Sequence, residues 1–332
     1  MRTINYAEAI REGHIQLMES DQRVFVIGQG LWSPWYAGTS LLDLEKMFGK
    51  HRVLDTPISE NAVTGAAVGA ALVGMRPIVF HPRMDFMLLA FDPIVNQAAN
   101  WSYMFAGQIG VPMVIRAVIN RGGEQGAQHS QAVHAMFMHV PGLKVVMPST
   151  PADAKGLLVS AVRDGNPVMY VDDRWLYEEV GEVEEGLYGT PIGKAVLRRK
   201  GSALTIVAIS YMAREAIRAA EALAEEQIDA EVIDLRSLKP WDKDMVLESV
   251  RRTGRLVVAD SGWHTCGAAA EIAATAATEA FHYLKAPIQR VTLPDAPAPT
   301  AVAEEKTYFR NWQHIVQAAR LTLKEEPCSS AL

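Results

Sequence analysis

Short β-branched apolar runs alternate with helix-length stretches along almost the whole chain, and few folds accommodate that alternation. Residues 23–28 (Arg-Val-Phe-Val-Ile-Gly) and 111–119 have the length and branching of strands buried on both faces. Between them, residues 64–73 carry small side chains without β-branched dominance and predict a tightly packed helix. Residues 92–103 predict a second helix, with Ile94, Val95, Ala98, Ala99 and Trp101 near one side. Further strands are expected at 77–80, 144–148 and 168–171. A helix is expected over 151–163, where Pro151 and Asp153 suit its first turn. Residues 177–188 hold Glu178, Glu179, Glu182, Glu184 and Glu185 without an apolar period and read as a linker or surface excursion. The alternation then restarts, with strands over 203–209, 230–235, 255–259 and 288–293. Helices are expected over 212–226, 241–253, 268–280 and 311–324. In the first of these, Ala213, Ile217, Ala220 and Ala224 mark one apolar stripe. The pattern predicts an α/β protein of two open, mainly parallel-sheet domains, residues 1–188 and 189–332.

Composition agrees with two cores, since 49% of 332 residues are hydrophobic. With 32 basic against 38 acidic side chains, there is no electrostatic footprint for nucleic acid or an anionic membrane. Cys266 and Cys328 are too far apart in sequence to read as a disulfide framework or a zinc site. Residues 1–10 lack the apolar core of a signal peptide and read as the start of an amphipathic helix, and residues 61–75 are too short to span a bilayer. The expectation is a cytoplasmic chain without a membrane span.

The chain holds no GxxxxGK[ST], HExxH or GxSxG sequence. Gly28-Gln29-Gly30 follows the first strand but lacks the third glycine of a dinucleotide fingerprint, which weighs against a Rossmann-type oxidoreductase. Glu60 sits where a carboxylate would cap a small-residue helix. His129 lies in a glycine-rich loop after a strand, where open α/β sheets place their sites.

Five segments taken together are more specific. They are Asp55-Thr-Pro-Ile-Ser-Glu60, His81-Pro-Arg-Met-Asp-Phe86, Asn120-Arg-Gly-Gly-Glu-Gln-Gly-Ala-Gln-His-Ser-Gln131, Ala161-Val-Arg-Asp-Gly-Asn-Pro167 and Asp234-Leu-Arg-Ser-Leu-Lys-Pro-Trp-Asp242. In this order they closely resemble the β subunit of the E1 component of 2-oxo-acid dehydrogenases, of the pyruvate, branched-chain and acetoin type. The resemblance implies a pyrimidine-binding domain followed by a transketolase C-terminal-like domain, with thiamine diphosphate as cofactor. It places Glu60 on the glutamate that hydrogen-bonds the cofactor's aminopyrimidine ring, and His129 on the active-site histidine beside the reacting carbonyl. It puts Gln29, His81 and Phe86 against the cofactor, and His81, Arg83, Asp85 and His129 in the substrate pocket. Met113, Ala161, Val162, Asp164 and Asn166 fall on a structural potassium site. The chain departs from the family at His81, commonly an aromatic there, and at Gln29, usually an acid. Both changes alter what the pocket can hydrogen-bond.

The same resemblance expects the diphosphate to be held through Mg2+ by a GDG sequence and a later Asn. The chain has no GDG, so these ligands are expected on a separate α subunit in an α2β2 assembly. The implied reaction is decarboxylation of a small 2-oxo acid such as pyruvate, with the acyl group passed to a lipoyl arm on an E2 partner. A two-component transketolase- or acyloin-type carboligase is the alternative within the fold, and a non-catalytic subunit the alternative outside catalysis.

Overall fold

The computed structural model describes residues 1–324, so Cys328 lies outside the described residues. The chain divides into two compact units. One comprises residues 1–194 with 236–241 and 297–305. The other comprises 195–235, 242–296 and the chain from 306 onward.

Through residue 183 the elements are β1 (Arg2–Asn5), α1 (Tyr6–Ser20), β2 (Val24–Gln29), α2 (Leu44–Phe48), β3 (Val53–Thr56), α3 (Glu60–Leu72), β4 (Arg76–His81), α4 (Met84–Met87), α5 (Ala99–Met104), β5 (Val114–Ile119), α6 (His134–Met138), β6 (Lys144–Val146), α7 (Pro151–Arg163), β7 (Val168–Asp173) and β8 (Val180–Val183). The remainder supplies β9 (Val196–Arg199), β10 (Leu204–Ala208), α8 (Tyr211–Glu225), β11 (Ala230–Asp234), β12 (Ser237–Lys239), α9 (Lys243–Thr253), β13 (Leu256–Trp263), α10 (Ala268–Glu279), β14 (Gln289–Leu293), α11 (Val302–Tyr308) and α12 (Trp312–Leu323).

The first unit is built on a seven-stranded sheet ordered β12-β6-β7-β5-β4-β2-β3. Its strands run parallel except β12, which pairs antiparallel with β6 at the edge. From β2 the chain steps to β3 on one side, then returns past β2 to β4 on the other. The strand order therefore reverses between β2 and β4, and a crevice opens there at the carboxyl ends of the strands. Helices α1 and α7 pack closely because Gly13 brings its backbone against Leu158; a Cβ on Gly13 would lie 3.3 Å from the leucine Cδ2. Asn5 opens α1 with a capping box, its Oδ1 accepting from Glu8 N at 2.8 Å and its own N–H donating to Glu8 Oε2 at 3.0 Å. The core also buries an ion pair: Arg116 Nη2 on β5 lies 2.8 Å from Asp172 Oδ2 on β7, with neither side chain exposed. Tyr177 donates its hydroxyl to the same carboxylate at 2.5 Å, and Phe80 lies under the guanidinium at 5.1 Å.

The second unit holds five strands ordered β14-β13-β10-β11-β9, parallel except β9. The α/β class expected from the alternation is the class observed. No helix among the described residues is long and apolar enough to cross a membrane.

Five local expectations change. The N-terminus enters helix only at Tyr6, and β1 pairs antiparallel with β8, which lies inside the acidic stretch read as a linker. That ribbon buries Val183 and leaves Glu182 toward solvent, and four residues are too few to register a period of two. Helix α3 starts at Glu60 rather than near residue 64. The helix expected over 92–103 opens as a π-helical turn, Pro93–Ala98, before passing into α5. In α8 the buried stripe includes Ala213, Ala216, Ala220 and Leu223, whereas Ile217 and Ala224 stand at its margins.

Candidate active site

Three strand ends converge on the crevice. Gly28 and Gln29 finish β2, Phe80 and His81 finish β4, and Thr56 finishes β3 just ahead of α3. Gly28 must lack a side chain, because a Cβ there would stand 2.3 Å from Phe80 O on the neighbouring strand. The next turn has Gly30 at φ +70 and is held by Asp55, whose Oδ1 accepts from Gly30 N at 2.6 Å and Leu31 N at 3.1 Å.

Glu60 is the first residue of α3, where the unpaired amides of the helix end favour a negative charge. Its side chain lines the crevice with Gln29, Thr56, Val63, Phe80, His81 and Pro82. Glu60 is only 8% exposed, yet among the described residues no donor pairs with its carboxylate. Thr56 Oγ1 is likewise buried without a partner. One helical turn beyond Glu60, Thr64 places Oγ1 3.3 Å from His81 Nε2. Burial pushes the His81 pKa down to about 4, so its ring is neutral at physiological pH.

The remaining sequence-predicted residues gather on the segment after Pro82. Arg83 donates from Nη1 to Pro82 O at 2.8 Å and from Nη2 to Gln125 Oε1 at 3.4 Å, while its buried Nε has no partner. Asp85 Oδ1 accepts from Gln131 N at 3.0 Å, Oδ2 is buried and unpartnered, and burial raises the carboxyl's pKa above its ordinary value. Phe86 meets the half-buried His129 ring edge to face at 5.1 Å. Unpaired buried polar atoms thus recur at Thr56, Arg83 and Asp85, which marks a place built to receive polar groups from elsewhere.

Met113, Ala161, Val162, Asp164 and Asn166 lie apart, at the amino ends of β5 and β7, the opposite edge of the sheet from Glu60. Apart from Asn166, their oxygens already have protein donors. Arg76 Nη1 reaches Val162 O at 2.5 Å and Asp164 O at 3.1 Å, Lys144 Nζ reaches Asp164 Oδ2 at 2.5 Å, and Met113 O accepts from Val168 N at 3.0 Å. In the second unit, His264 is bonded to Thr292 Oγ1 at 3.0 Å and Arg290 Nη2 at 2.6 Å, and Cys266 is exposed. Asp55, Thr56 and Thr64 were not singled out as site residues from sequence. The spacing of four from Glu60 is the signal that could have found Thr64.

A doubly wound sheet with an unpaired carboxylate at its switch point is the arrangement of a ligand-binding open α/β domain. Residues 2–179 match the family described as transketolase, pyrimidine binding domain, and residues 193–315 match transketolase, C-terminal domain. The chain is 45% identical to the β subunit of acetoin:2,6-dichlorophenolindophenol oxidoreductase of Cupriavidus necator, over 97% of this chain and 98% of that one. It is 42% identical to the pyruvate dehydrogenase E1 component subunit β of Rickettsia felis, over 96% and 97%. A solved structure titled split gene transketolase, inactive beta4 tetramer, shares the fold with a TM-score of 0.80 at 24% identity, covering 97% of this chain and all of that one. The chain belongs to the transketolase-domain family and, within it, to the β subunits that these relatives represent.

The crevice walls present both hydrogen-bond donors and acceptors around a narrow space with room for little more than a water molecule. They offer a carboxylate and a hydroxyl without partners, the Gln29 amide and a neutral imidazole. Among the described residues no group of three or more His, Cys, Asp or Glu side chains could hold a metal ion.

Proposed function

We propose that this chain is the β subunit of a heteromeric thiamine-diphosphate-dependent 2-oxo-acid dehydrogenase, decarboxylating a small 2-oxo acid such as pyruvate and handing its acyl group to a lipoyl acceptor. The observation that carries this reading is Glu60, a nearly buried carboxylate at a helix start with no partner of its own. Bound thiamine diphosphate supplies the carbon nucleophile and the electron sink that the twenty side chains lack. Glu60, holding a proton at its carboxyl, would donate a hydrogen bond to a pyrimidine ring nitrogen and share that proton with it. Gln29 and Thr56 would position the ring edge, and His81, kept neutral by burial and bonded to Thr64, would wall the crevice without adding charge. His129, braced by Phe86, would donate a proton or hydrogen bond to the reacting carbonyl oxygen.

The diphosphate and Mg2+ would be held by an α subunit in an α2β2 cytoplasmic assembly, because the crevice residues offer no cluster of cations. Support for such a partner is the bare face of α3 that begins at Glu60. Ala62, Gly65, Ala66 and Gly69 are exposed, and nothing lies within 4 Å of a Cβ built on Gly65 or Gly69. A potassium ion at Val162 and Asp164 would share carbonyls that Arg76 already uses, through their second lone pairs. The similarity to an acetoin-oxidising β subunit favours an acyloin as the second substrate reading. Reconstitution with an α subunit carrying GDG and a later Asn tests both. Oxidant reduction with pyruvate supports the first, reduction with acetoin but not pyruvate supports the second, and inactivity with both overturns the proposal.

A further inference from the structure

The segment 120–131 that carries His129 has little backbone pairing of its own. Within it, His129 N reaches Gly126 O at 3.4 Å. Four of its residues sit in the left-handed region, at φ +68 for Gly122, +65 for Gly123, +61 for Glu124 and +68 for Gly126. Glu124 is the only one of these with a side chain, and such a residue does not stay in that conformation unless its surroundings hold it.

Two buried carboxylates hold it from outside. Asp85 Oδ1 accepts from Gln131 N at 3.0 Å at the end of the loop. Glu305 Oε1 accepts from Glu124 N at 2.9 Å, across 181 residues of sequence. Asp85 is 7% exposed and Glu305 8%, so both acceptors are largely withdrawn from water while the amides they bind lie nearer the surface. Amide-to-carboxylate bonds are also stronger than those between neutral groups. Thr300, on the same segment as Glu305, closes over Gly126, where a Cβ would stand 2.6 Å from Thr300 Oγ1. Phe86, adjacent to Asp85, presses its ring on His129.

We infer that Asp85 and Glu305 are positioning residues that fix the backbone of this loop and thereby place His129, Glu305 doing so by locking Glu124 in its left-handed conformation. Asp85 then acts through the loop with Oδ1, while its buried Oδ2 has no partner. The inference about turnover rests on the reading of His129 as an active-site group; the inference about the loop does not.

Hydrogen exchange of the full chain, without partner or cofactor, tests the loop directly. Asp85→Ala and Glu305→Ala should each speed exchange of the 120–131 amides by about tenfold while β5 and β7 stay protected. Asp85→Asn and Glu305→Gln keep one acceptor oxygen and should stay within about threefold of wild type. In the reconstituted complex each alanine variant should lower kcat by about 10- to 100-fold with little change in KM, and should add nothing to His129→Ala. Wild-type exchange in both alanine variants overturns the clamp, and so do amide variants as loose as the alanines. If Asp85→Ala does not fold, Glu305→Ala decides by the same outcomes. A loosened loop with unchanged turnover overturns the role of His129 and upholds the clamp.

Discussion

Glu60→Gln separates chemistry from architecture, because the structure assigns the carboxylate no protein partner. Glutamine keeps the volume and removes the charge. Losing a negative charge at the start of α3 costs about 0.3–1 kcal/mol of helix stabilisation. The amide keeps an acceptor oxygen and adds two donors, so the crevice still buries unpartnered polar atoms and little is regained at 8% exposure. Unfolding free energy should therefore change by no more than about 1 kcal/mol. Turnover should respond far more strongly. Loss of a positioned proton-handling group lowers the rate by about 10²- to 10⁴-fold, or about 3–5 kcal/mol of barrier. Urea unfolding of the chain alone measures the first quantity, and oxidant reduction by the reconstituted complex measures the second. A stability loss above about 2 kcal/mol would make Glu60 a structural cap. Turnover within about threefold of wild type would remove it from the chemistry.

Burial holds His14 down to about 3 and His81 to about 4, against 6.5 for an ordinary imidazole. Below pH 6.5 the unfolded chain therefore binds protons that the folded chain refuses, and stability falls as pH is lowered. His81→Phe should recover about 2 kcal/mol of the loss between pH 7 and pH 5, and an unchanged difference in urea midpoints between the two pH values would refute this. Asp172→Asn leaves the fully buried Arg116 guanidinium without its counter-charge and should cost about 3 kcal/mol; a loss under about 1 kcal/mol in urea unfolding would show that the pair contributes little. Gly28→Ala drives a methyl into Phe80 O and should cost about 1–3 kcal/mol together with weaker thiamine diphosphate binding. Thermal unfolding and cofactor titration check it, and wild-type values in both would mean that β2 and β4 separate freely at that point.

What could be read from the sequence follows the range of the forces involved. Val24, Val26 and Ile27, like Val114 and Ile115, are buried on both faces of a sheet, so each run announces a strand without needing a period. Helix α7 declares itself through Pro151 and Asp153, because capping is settled within four residues. The ribbon between β1 and β8 was missed for the converse reason: its partners are nearly the whole first unit apart, and each strand is too short to carry a pattern. Glu60 shows the same limit at the site. From spacing alone it is indistinguishable from a helix-capping acid, and only resemblance to a family gave it chemistry. Its lack of partners arises from the converging ends of β2, β3 and β4, which no window around residue 60 contains. Asp85 and Glu305 carry the point further. One lies in a segment that sequence assigned to the substrate pocket, the other in an unremarked helix, and nothing near either indicates that both accept amides from one loop. Local order is legible because local contacts dictate it. A loop made permissive by glycine has no local preference to read, and its conformation is written in the residues that grip it from a distance.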